Sequence, residues 1–598
     1  MQKYTVNQYF VSNILNWVSE KEIAIPEIQR PFVWDSTKVR DLMDSLYRGY
    51  PIGYIIAWKN PDVRLKDGTI SNGKKVLIDG QQRITALRAS ILGQNIVNKD
   101  YKEERIYISF HPVKEEFATL TPAIGKDKSW IEDISILMSK DGGLFEYVND
   151  YCNKNPEVDR SLIERNIEKL LQIKSKQVGF IELDANLDIE TVTEIFIRIN
   201  SKGVVLSQAD FAMSKIASYD KEDSFGVNLR KCIDYFCHLS REPQFYKHIN
   251  ENDNEFNKTP YLSKIAWLKD ENDDLYDPDY SDVLRVSFTK EFERGKMSDL
   301  VGLLSGRNFE TRSFEQSIMD ESFQRLQSSV LDFVNETNFK RFIMIIKSCG
   351  FTSSDLINSQ NTMNFAYILF LKLREKNVNP SIIEKCVQKW FVMSLLTGRY
   401  SGSPESAFDY DIKQVSKDGV EQVLKSIEDA ELSDAFWDVR LVQELDKATI
   451  NSPFLNLFFA SQIKANDKGF LSTDITVGNM IEHRGDIHHL FPRDYLKANG
   501  FERGEYNQIA NFVYAQSEIN IKIGKKTPKD YMSEVVKQCN EGNLKYGGIS
   551  DMETLKENLK QNCIPEDFTD MDLNDYENFL KMRRKLMAKK IEGYYKNL

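Results

Sequence analysis

The sequence lacks the marks of several protein classes. No apolar run approaches the roughly 18 residues that a membrane-spanning helix needs, and the first residues have no basic segment followed by an apolar one, which argues against a secretory signal. The seven cysteines include no CxxC pair, which favours a reduced cytoplasmic protein without a structural zinc site. A net charge of −11 excludes a uniformly basic nucleic-acid coat, although it allows a local basic groove.

The length and composition predict a soluble protein of several domains. With 598 residues, of which 41% are hydrophobic and 28% charged, the chain has enough apolar content to form cores. At about 150 residues per domain it would hold about four units, and three larger ones fit equally well. Strand and helix signals alternate near the start, helical signals dominate from about 215 to 440, and a compact segment follows.

Local patterns predict individual elements. Asp35 can cap a helix with apolar residues at helical spacing from Val39 to Leu46, and Gly49 is expected to end it. Short apolar runs predict buried strands, and two strongly apolar segments predict buried helices. The strands are expected at residues 54–58, 76–78 and 177–183, and the helices at 341–349 and 382–396.

A polar turn separates one predicted strand from a helix. Its residues are Asp79, Gly80, Gln81, Gln82 and Arg83. The start of a helix offers unpaired N–H groups to a phosphate, glycine lets the backbone approach closely, and arginine can bind phosphate with two N–H groups. The carboxylate could hold Mg²⁺, and either glutamine could orient a water or contact a base. The alternative is a capped helix with a surface arginine, because the spacing is not that of a Walker motif.

Two further polar segments stand out. The first, IQRPFVW, contains Gln29 and Arg30 before a proline that restrains Arg30 to extended geometry. The second, FIRINSKG, contains Arg198 and Asn200 at the predicted end of a helix, where both side chains could face one pocket. Taken singly, each segment is more simply explained as structural.

Together the three segments resemble a known family. Their order and spacing are similar to those of the N-terminal nucleotide-dependent domain of GmrSD-like restriction proteins, over roughly residues 5–220. The resemblance implies a ParB/sulfiredoxin-like fold that binds and hydrolyses a nucleoside triphosphate, whether GTP, UTP, CTP or ATP. The residues to which it assigns nucleotide binding are Gln29, Arg30, Asp79, Gly80, Gln81, Gln82, Arg83, Arg198 and Asn200.

Histidine is scarce, and its distribution singles out one region. Three of the six histidines lie between His483 and His489. His488 and His489 are adjacent, and adjacent side chains on a strand point to opposite faces, so the pair predicts two different roles. One imidazole could bind a divalent metal, and the other could accept a proton from water near pH 7. The alternative is a surface pair beside an unrelated polar helix.

Amides and lysines follow this histidine pair in the sequence. Asn507, Asn511 and Asn520 lie downstream, and a group of lysines comes after them. A single-metal phosphodiesterase needs a base, an amide that braces its loop, metal ligands and cations for the nucleic-acid backbone. The lysines expected to contact DNA phosphates are Lys522, Lys525 and Lys526, with Lys529 close behind.

The segment HHLFP and these asparagines look like an HNH, or ββα-metal, nuclease over roughly residues 440–560. The resemblance implies that His489 is the general base and that Asn511 braces the loop. It places His488 where the family usually has an acidic metal ligand. It places Asn520 where the last metal ligand stands, with Asn507 as the alternative. The implied cofactor is a divalent metal, Mg²⁺, Mn²⁺ or Ni²⁺.

The predicted architecture is a multidomain α+β chain. A ParB/sulfiredoxin-like domain is expected at 1–220, a largely helical region at 221–440, and an HNH domain with a basic C-terminal helix at 441–598. This combination resembles modification-dependent, or type IV, restriction enzymes that defend bacteria against phage. We therefore expect a cytoplasmic, metal-dependent DNA endonuclease with NTPase activity. Its expected partners are phage or modified DNA and a nucleoside triphosphate, with no membrane, and a homo-oligomer is one assembly that the sequence allows.

Two other functions remain open from the sequence. One is a nucleotide-switched DNA-binding regulator whose nuclease site is inactive. The other is an RNA-cutting toxin, because HNH chemistry accepts either polymer and nothing in the sequence reads a 2′-hydroxyl.

Overall fold

The computed structural model describes residues 3–20, 22–24, 32, 34–59, 75–97, 103–138, 144–184, 187, 195, 208–219, 225–271, 273–446, 452–483 and 485–598. The chain divides into two units. Unit 1 comprises Met1–Glu271 and Val301–Met319, and unit 2 comprises Asn272–Leu300 and Asp320–Leu598. The mostly helical chain with its small sheets confirms the predicted multidomain α+β class. The bounds of the three predicted domains stay predictions.

A five-stranded sheet organises unit 1. Its strand order is β1 (Tyr4–Phe10), β9 (Gln177–Leu183), β3 (Tyr54–Lys59), β4 (Lys75–Asp79) and β2 (Ile23–Ala24). β3 is parallel to β9 and antiparallel to β4, and β2 is parallel to β4. β1 pairs antiparallel with β9, from Tyr4 opposite Leu183 to Phe10 opposite Gln177. The sheet therefore joins segments that lie far apart in the sequence.

Unit 1 contains further strands and α-helices. The strands are β5 (Ile96–Val97), β6 (Glu103–Glu104), β7 (Ile108–His111) and β8 (Glu116–Thr119). The α-helices are α1 (Val11–Ser19), α2 (Ser36–Arg48), α3 (Gln81–Ile91), α4 (Ile134–Met138), α5 (Leu144–Lys154), α6 (Arg160–Leu171), α7 (Gln208–Ser218), α8 (Phe225–Arg241), α9 (Phe245–Asn252), α10 (Asn254–Asn257) and α11 (Pro260–Ile265). Apolar residues of α1 to α6 form one core with buried residues of β3, β4 and β9.

Local sequence signals predicted several of these elements correctly. Helix α2 begins at Ser36, the Asp35 side chain accepts a hydrogen bond from the main-chain N–H of Lys38, and Gly49 ends the helix with a φ of 76°. Because glycine adopts this left-handed backbone without a steric penalty, its position determines where the helix stops. The predicted strands are confirmed as β3, β4 and β9.

Unit 2 is built mainly from helices. Its strands are β10 (Asp486–His489) and β11 (Phe512–Ala515). Its α-helices are α12 (Tyr280–Phe292), α15 (Glu336–Ser348), α16 (Gln360–Glu375), α17 (Pro380–Thr397), α18 (Pro404–Asp418), α19 (Val420–Glu431), α20 (Leu441–Glu444), α21 (Pro453–Lys464), α22 (Val477–Glu482), α23 (Arg493–Ala498), α24 (Arg503–Tyr506), α25 (Ser517–Ile523), α26 (Pro528–Glu541), α27 (Met552–Gln561) and α28 (Tyr576–Lys596). Helices α13 (Met297–Leu303) and α14 (Gln316–Phe333) each contain a boundary between the units. The two segments predicted as buried helices are helical, in α15 and α17. Helix α17 is mostly buried as predicted, whereas α15 has one exposed face on which Met344 is 67% exposed.

The segment between α17 and α18 forms a buried polar network. Arg399 donates to both carboxylate oxygens of Asp411, at 2.7 and 2.5 Å, and to Glu431 at 3.1 Å. The hydroxyl of Tyr400 donates to Asp411 at 2.8 Å and accepts from the Trp390 indole at 3.0 Å. Because Asp411 is fully buried, removal of Arg399 would leave a buried carboxylate without its counter-ion. The network thus ties α17, α18 and α19 together.

Within the described part of the chain, every helix is too short or too polar to cross a membrane. The predicted cytoplasmic location stays a prediction.

Candidate functional site

The histidine pair lies on a small antiparallel sheet that is followed by a helix. β10 pairs with β11 so that His488 is opposite Val513 and His489 is opposite Phe512. Helix α25 begins two residues after β11 ends. Because consecutive side chains of a strand point to opposite faces, the two imidazoles have different surroundings.

His488 lies next to Asn520 of α25. Its Nδ1 is 2.7 Å from the Asn520 Oδ1, its side chain is only 3% exposed, and its ring stacks on that of Phe470 with 6.2 Å between centroids. At 2.7 Å this contact is a hydrogen bond, in which the imidazole Nδ1–H donates to the amide oxygen. In the other neutral tautomer, with the proton on Nε2, the Nδ1 atom and the amide oxygen would be two adjacent acceptors that a divalent metal could bind together.

The donors at this position are neutral. Imidazole suits transition metals such as Ni²⁺, and amide oxygen is also acceptable to Mn²⁺ and Mg²⁺. Among the residues with described side chains, no group of three or more His, Cys, Asp and Glu could hold a metal. A metal held by His488 and Asn520 would accordingly keep open positions for water or phosphate oxygens.

His489 lies next to a different asparagine. Its Nε2 is 2.8 Å from the Asn507 Oδ1, and its ring meets the Phe512 ring edge-on at 5.0 Å. Burial lowers the pKa of His489, and the Asn507 hydrogen bond opposes this effect only in part. The neutral imidazole is thus favoured at pH 7, and this is the form that accepts a proton from water.

Asn511 braces the main chain that follows the histidines. Its side chain is fully buried, and its Oδ1 accepts from the Phe491 N–H at 2.8 Å. Its Nδ2 donates to the carbonyl oxygens of Phe491 at 3.0 Å and Tyr506 at 3.1 Å. Its own carbonyl accepts from the Leu490 N–H at 2.9 Å. These bonds fix the loop directly after His489, which is the role predicted for Asn511.

The lysines near the site differ in their surroundings. Lys522 and Lys525 are exposed, as a contact to DNA phosphates requires. Lys526 is held by Glu534, with distances of 3.0 and 2.9 Å to the two carboxylate oxygens. Glu534 also accepts a hydrogen bond from Lys545, and this bond contributes most to lowering the pKa of the Glu534 carboxyl to about 2. Lys526 and Lys545 thus share one carboxylate within unit 2, whereas Lys522 and Lys525 are exposed.

The polar turn of unit 1 lies at the end of β4, before α3. Gly80 has a φ of 100°, and a Cβ there would lie 3.1 Å from the Ile55 Cγ1 and 3.3 Å from its Cα. The Nη1 of Arg83 donates to the carbonyl oxygen of Tyr54 at 2.8 Å and lies 3.4 Å from the Asp79 carboxylate. These contacts hold the guanidinium at the edge of the sheet, beside the first turn of α3.

The buried side-chain amide of Gln81 is a second feature of this turn. Its side chain is 7% exposed, and its Oε1 has no hydrogen-bond partner. A buried amide oxygen without a donor is costly, so such groups often mark a place that a ligand or water completes. Gln82 follows at the start of α3. Gln29, Arg30, Arg198 and Asn200 lie outside the described residues.

The sequence missed one contact of the histidine site. It offered Asn507 only as an alternative metal ligand, whereas the structure places Asn507 at His489 and Asn520 at His488. The spacing of the asparagines gave no signal for this pairing, because it depends on how the chain folds between β10 and β11. Asn507 thus joins the site as a group that orients the His489 ring.

Two comparisons with known proteins bear on this chain. Residues 11–217 match the family model of the GmrSD restriction endonuclease, N-terminal domain. The chain is also 24% identical, over 639 aligned positions, to the uncharacterized protein MJ0686 of Methanocaldococcus jannaschii, with 97% of this chain and 98% of that protein covered. The family match includes the turn from Asp79 to Arg83, and it relates this part of the chain to the restriction endonucleases of the GmrSD family.

Proposed function

We propose that the chain is a metal-dependent DNA endonuclease of restriction type, which cuts at the histidine site of unit 2 and is regulated by a nucleotide bound to unit 1. The observation that carries the proposal is the strand–strand–helix arrangement of β10, β11 and α25. It brings His488 to Asn520, His489 to Asn507, and Asn511 to the loop between them. These are the groups expected of an HNH, or ββα-metal, nuclease. The GmrSD match of residues 11–217 supports the restriction activity.

Each residue of the site has a separate chemical task. His489, neutral because it is buried, removes a proton from the attacking water, and Asn507 keeps its ring oriented. Asn511 fixes the following loop, so that His489 stays in place. His488 and Asn520 would hold the divalent metal, which supplies a Lewis acid for the phosphate and its leaving oxygen. Lys522 and Lys525 would contact the DNA backbone without reading its sequence.

Unit 1 would bind the nucleoside triphosphate at the turn from Asp79 to Arg83. Gly80 allows close approach of a phosphate, the first turn of α3 offers N–H groups, and Arg83 adds a guanidinium. The unsatisfied Oε1 of Gln81 is available to a donor of the nucleotide or of a bound water. A ParB/sulfiredoxin-like fold and hydrolysis of the nucleotide are part of this proposal. In defence against phage, the nucleotide state and a mark on the DNA would together decide whether unit 2 cuts.

A cleavage assay tests this function. Supercoiled plasmid, phage DNA with modified bases and a structured RNA are incubated with Mg²⁺, Mn²⁺ or Ni²⁺, each with and without GTP, UTP, CTP or ATP. Nicking or cutting of DNA that stops on chelation supports the proposal. Binding of DNA without cleavage under every condition would favour a regulator, and cleavage of RNA alone would favour an RNA-cutting toxin.

The metal site leads to a specific prediction. We expect His488→Ala to raise the metal concentration for half-maximal cleavage by at least about tenfold, because one ligand is lost. We expect His488→Asp, which introduces a carboxylate, to keep activity and to shift the preference from Ni²⁺ toward Mg²⁺. The measurement is a metal titration of plasmid nicking with DNA binding followed in parallel. Metal titrations of both variants that overlay the wild-type curve would exclude His488 as a ligand.

A further inference from the structure

Helix α28 contacts the segment that carries the asparagines of the site. The hydroxyl of Tyr576 donates to the carbonyl oxygen of Glu505 at 2.8 Å. Arg583 donates from Nη1 to the carbonyl oxygen of Ala510 at 2.8 Å. Arg584 donates from Nη2 to the side chain of Gln508 at 3.0 Å. Residues 505–511, called the asparagine segment below, are thus held at three points by one helix.

Arg583 makes the most unusual of these contacts. It is 0% exposed, and it donates hydrogen bonds to two carbonyl oxygens, those of Ala510 and, at 3.1 Å, Asn562. Burial lowers its pKa to about 10, which still leaves it charged at pH 7. Burying a guanidinium against carbonyl oxygens is expensive compared with an apolar side chain of similar size. Packing alone therefore does not explain why an arginine stands here.

The position of Ala510 suggests what the arginine does. The next residue, Asn511, holds the main chain at Leu490 and Phe491, immediately after His489. Three residues before Ala510, Asn507 contacts the His489 ring. Asn507, which contacts the His489 ring, and Asn511, which holds the loop after it, therefore both belong to the segment that Arg583 contacts.

A second element holds the same loop from another side. The hydroxyl of Tyr531, in α26, donates to the Leu490 carbonyl oxygen at 2.8 Å. This contact does not involve the asparagine segment, so the loop would keep one anchor if Arg583 were replaced. Loss of Arg583 is then expected to loosen the placement of Asn507 and Asn511 without unfolding β10.

We propose that Arg583 is a positioning residue of the nuclease site: by holding the Ala510 carbonyl, it sets Asn507 against the His489 ring and Asn511 against the loop that follows. The inference rests on the proposed nuclease function of unit 2. The geometry of the histidine site would then depend on a residue of α28, a helix that begins more than 80 residues after the histidines in the sequence.

The test compares Arg583→Met, Arg583→Lys and Tyr576→Phe with a matched control. Arg583→Met removes both carbonyl contacts at similar side-chain length, and Arg583→Lys keeps the charge and can keep one of them. The control is Lys590→Met, which removes a partly buried cation of the same helix together with its hydrogen bond to the Gln561 carbonyl oxygen and its ion pair with the buried Asp467. It therefore matches the loss of a buried cation in Arg583→Met but leaves the asparagine segment untouched. Tyr576→Phe removes one hydroxyl and serves if Arg583→Met does not fold.

Two readouts are expected to change together. A small displacement of catalytic groups can cost about 100-fold in rate, so we expect kcat for DNA cleavage to fall about 10- to 100-fold in Arg583→Met while KM for DNA stays within about twofold. Arg583→Lys should recover part of kcat. Hydrogen exchange should accelerate at the Leu490 and Phe491 amides, both of which donate to Asn511, and it should stay unchanged there in Lys590→Met.

Several outcomes would overturn the inference. Unchanged exchange at Leu490 and Phe491 in Arg583→Met would show that the arginine does not hold the loop. Equal losses of kcat in Arg583→Met and Lys590→Met would assign Arg583 a merely structural role. If the wild-type protein cuts no nucleic acid, the proposed function fails, and the exchange measurement still decides whether Arg583 positions the asparagine segment.

Discussion

Replacing His489 with alanine is expected to reduce metal-dependent DNA cleavage by about 10²- to 10⁴-fold, which is the usual contribution of a general base. The neutral imidazole favoured by burial is the proton acceptor in this account, and alanine cannot take its place. Asn507 would lose its partner but lies at the edge of the site, so unit 2 is expected to fold normally. Plasmid nicking at saturating metal, with thermal unfolding measured in parallel, gives the comparison.

The matched control for this substitution is His483→Ala. His483 is exposed and directly follows α22, six residues before His489, so its loss should leave cleavage within about twofold, as expected of a surface change. DNA binding should survive in both variants, because Lys522 and Lys525 are untouched. Cleavage by His489→Ala at the wild-type rate would refute the assignment of the base.

Replacing Arg83 with alanine is expected to lower nucleotide hydrolysis about 10- to 100-fold, because a charge-assisted hydrogen bond is worth roughly 1.5–3 kcal/mol. The guanidinium stands beside the first turn of α3, where a phosphate would bind. The same variant should change how DNA cleavage responds to added nucleotide. A nucleotide alters cutting only if it binds the cutting and non-cutting states with different affinity. The rates of hydrolysis of GTP, UTP, CTP and ATP provide the first measurement.

The second measurement is cleavage of marked and unmarked DNA with and without the nucleotide that is hydrolysed. Arg88→Ala is the matched control, because Arg88 lies later in α3 and donates to Gln94 at 2.8 Å, away from the turn. If Arg83→Ala hydrolyses nucleotide at the wild-type rate, the turn from Asp79 to Arg83 is not part of the nucleotide-hydrolysing site. If Arg83→Ala loses nucleotide hydrolysis yet cuts marked and unmarked DNA as the wild type does, nucleotide hydrolysis and DNA cleavage are not coupled.

The parts of the fold that depend on neighbouring residues could be predicted from the sequence. The cap at Asp35 and the glycine at Gly49 fix α2 through contacts within a few positions. The turn from β4 to α3 follows from apolar residues that stop at Asp79 and from Gly80, whose φ of 100° favours glycine. Likewise, the scarcity of histidine in the chain is enough to single out His488 and His489.

Contacts between distant residues could not be predicted in this way. No periodic pattern marks β1, whose residues are mostly exposed, so its pairing with β9 was missed. The chain between His489 and Asn507 contains α23 and α24, and the spacing of the residues does not determine how these two helices bring Asn507 back to the histidine. Arg583 is one cation among several in a basic helix, and only its burial and its carbonyl partners set it apart.

The pairing of β1 with β9 has a consequence for how the protein is made. Phe10 emerges from the ribosome long before its partner Gln177, and at about 5–20 residues per second the delay is on the order of ten seconds or more. During that time the apolar side chains of Tyr4, Val6 and Phe10 belong to a strand without a neighbour, the condition in which strands join other chains. A separately expressed N-terminal fragment should therefore extend at least to Leu183, and shorter ones are expected to aggregate.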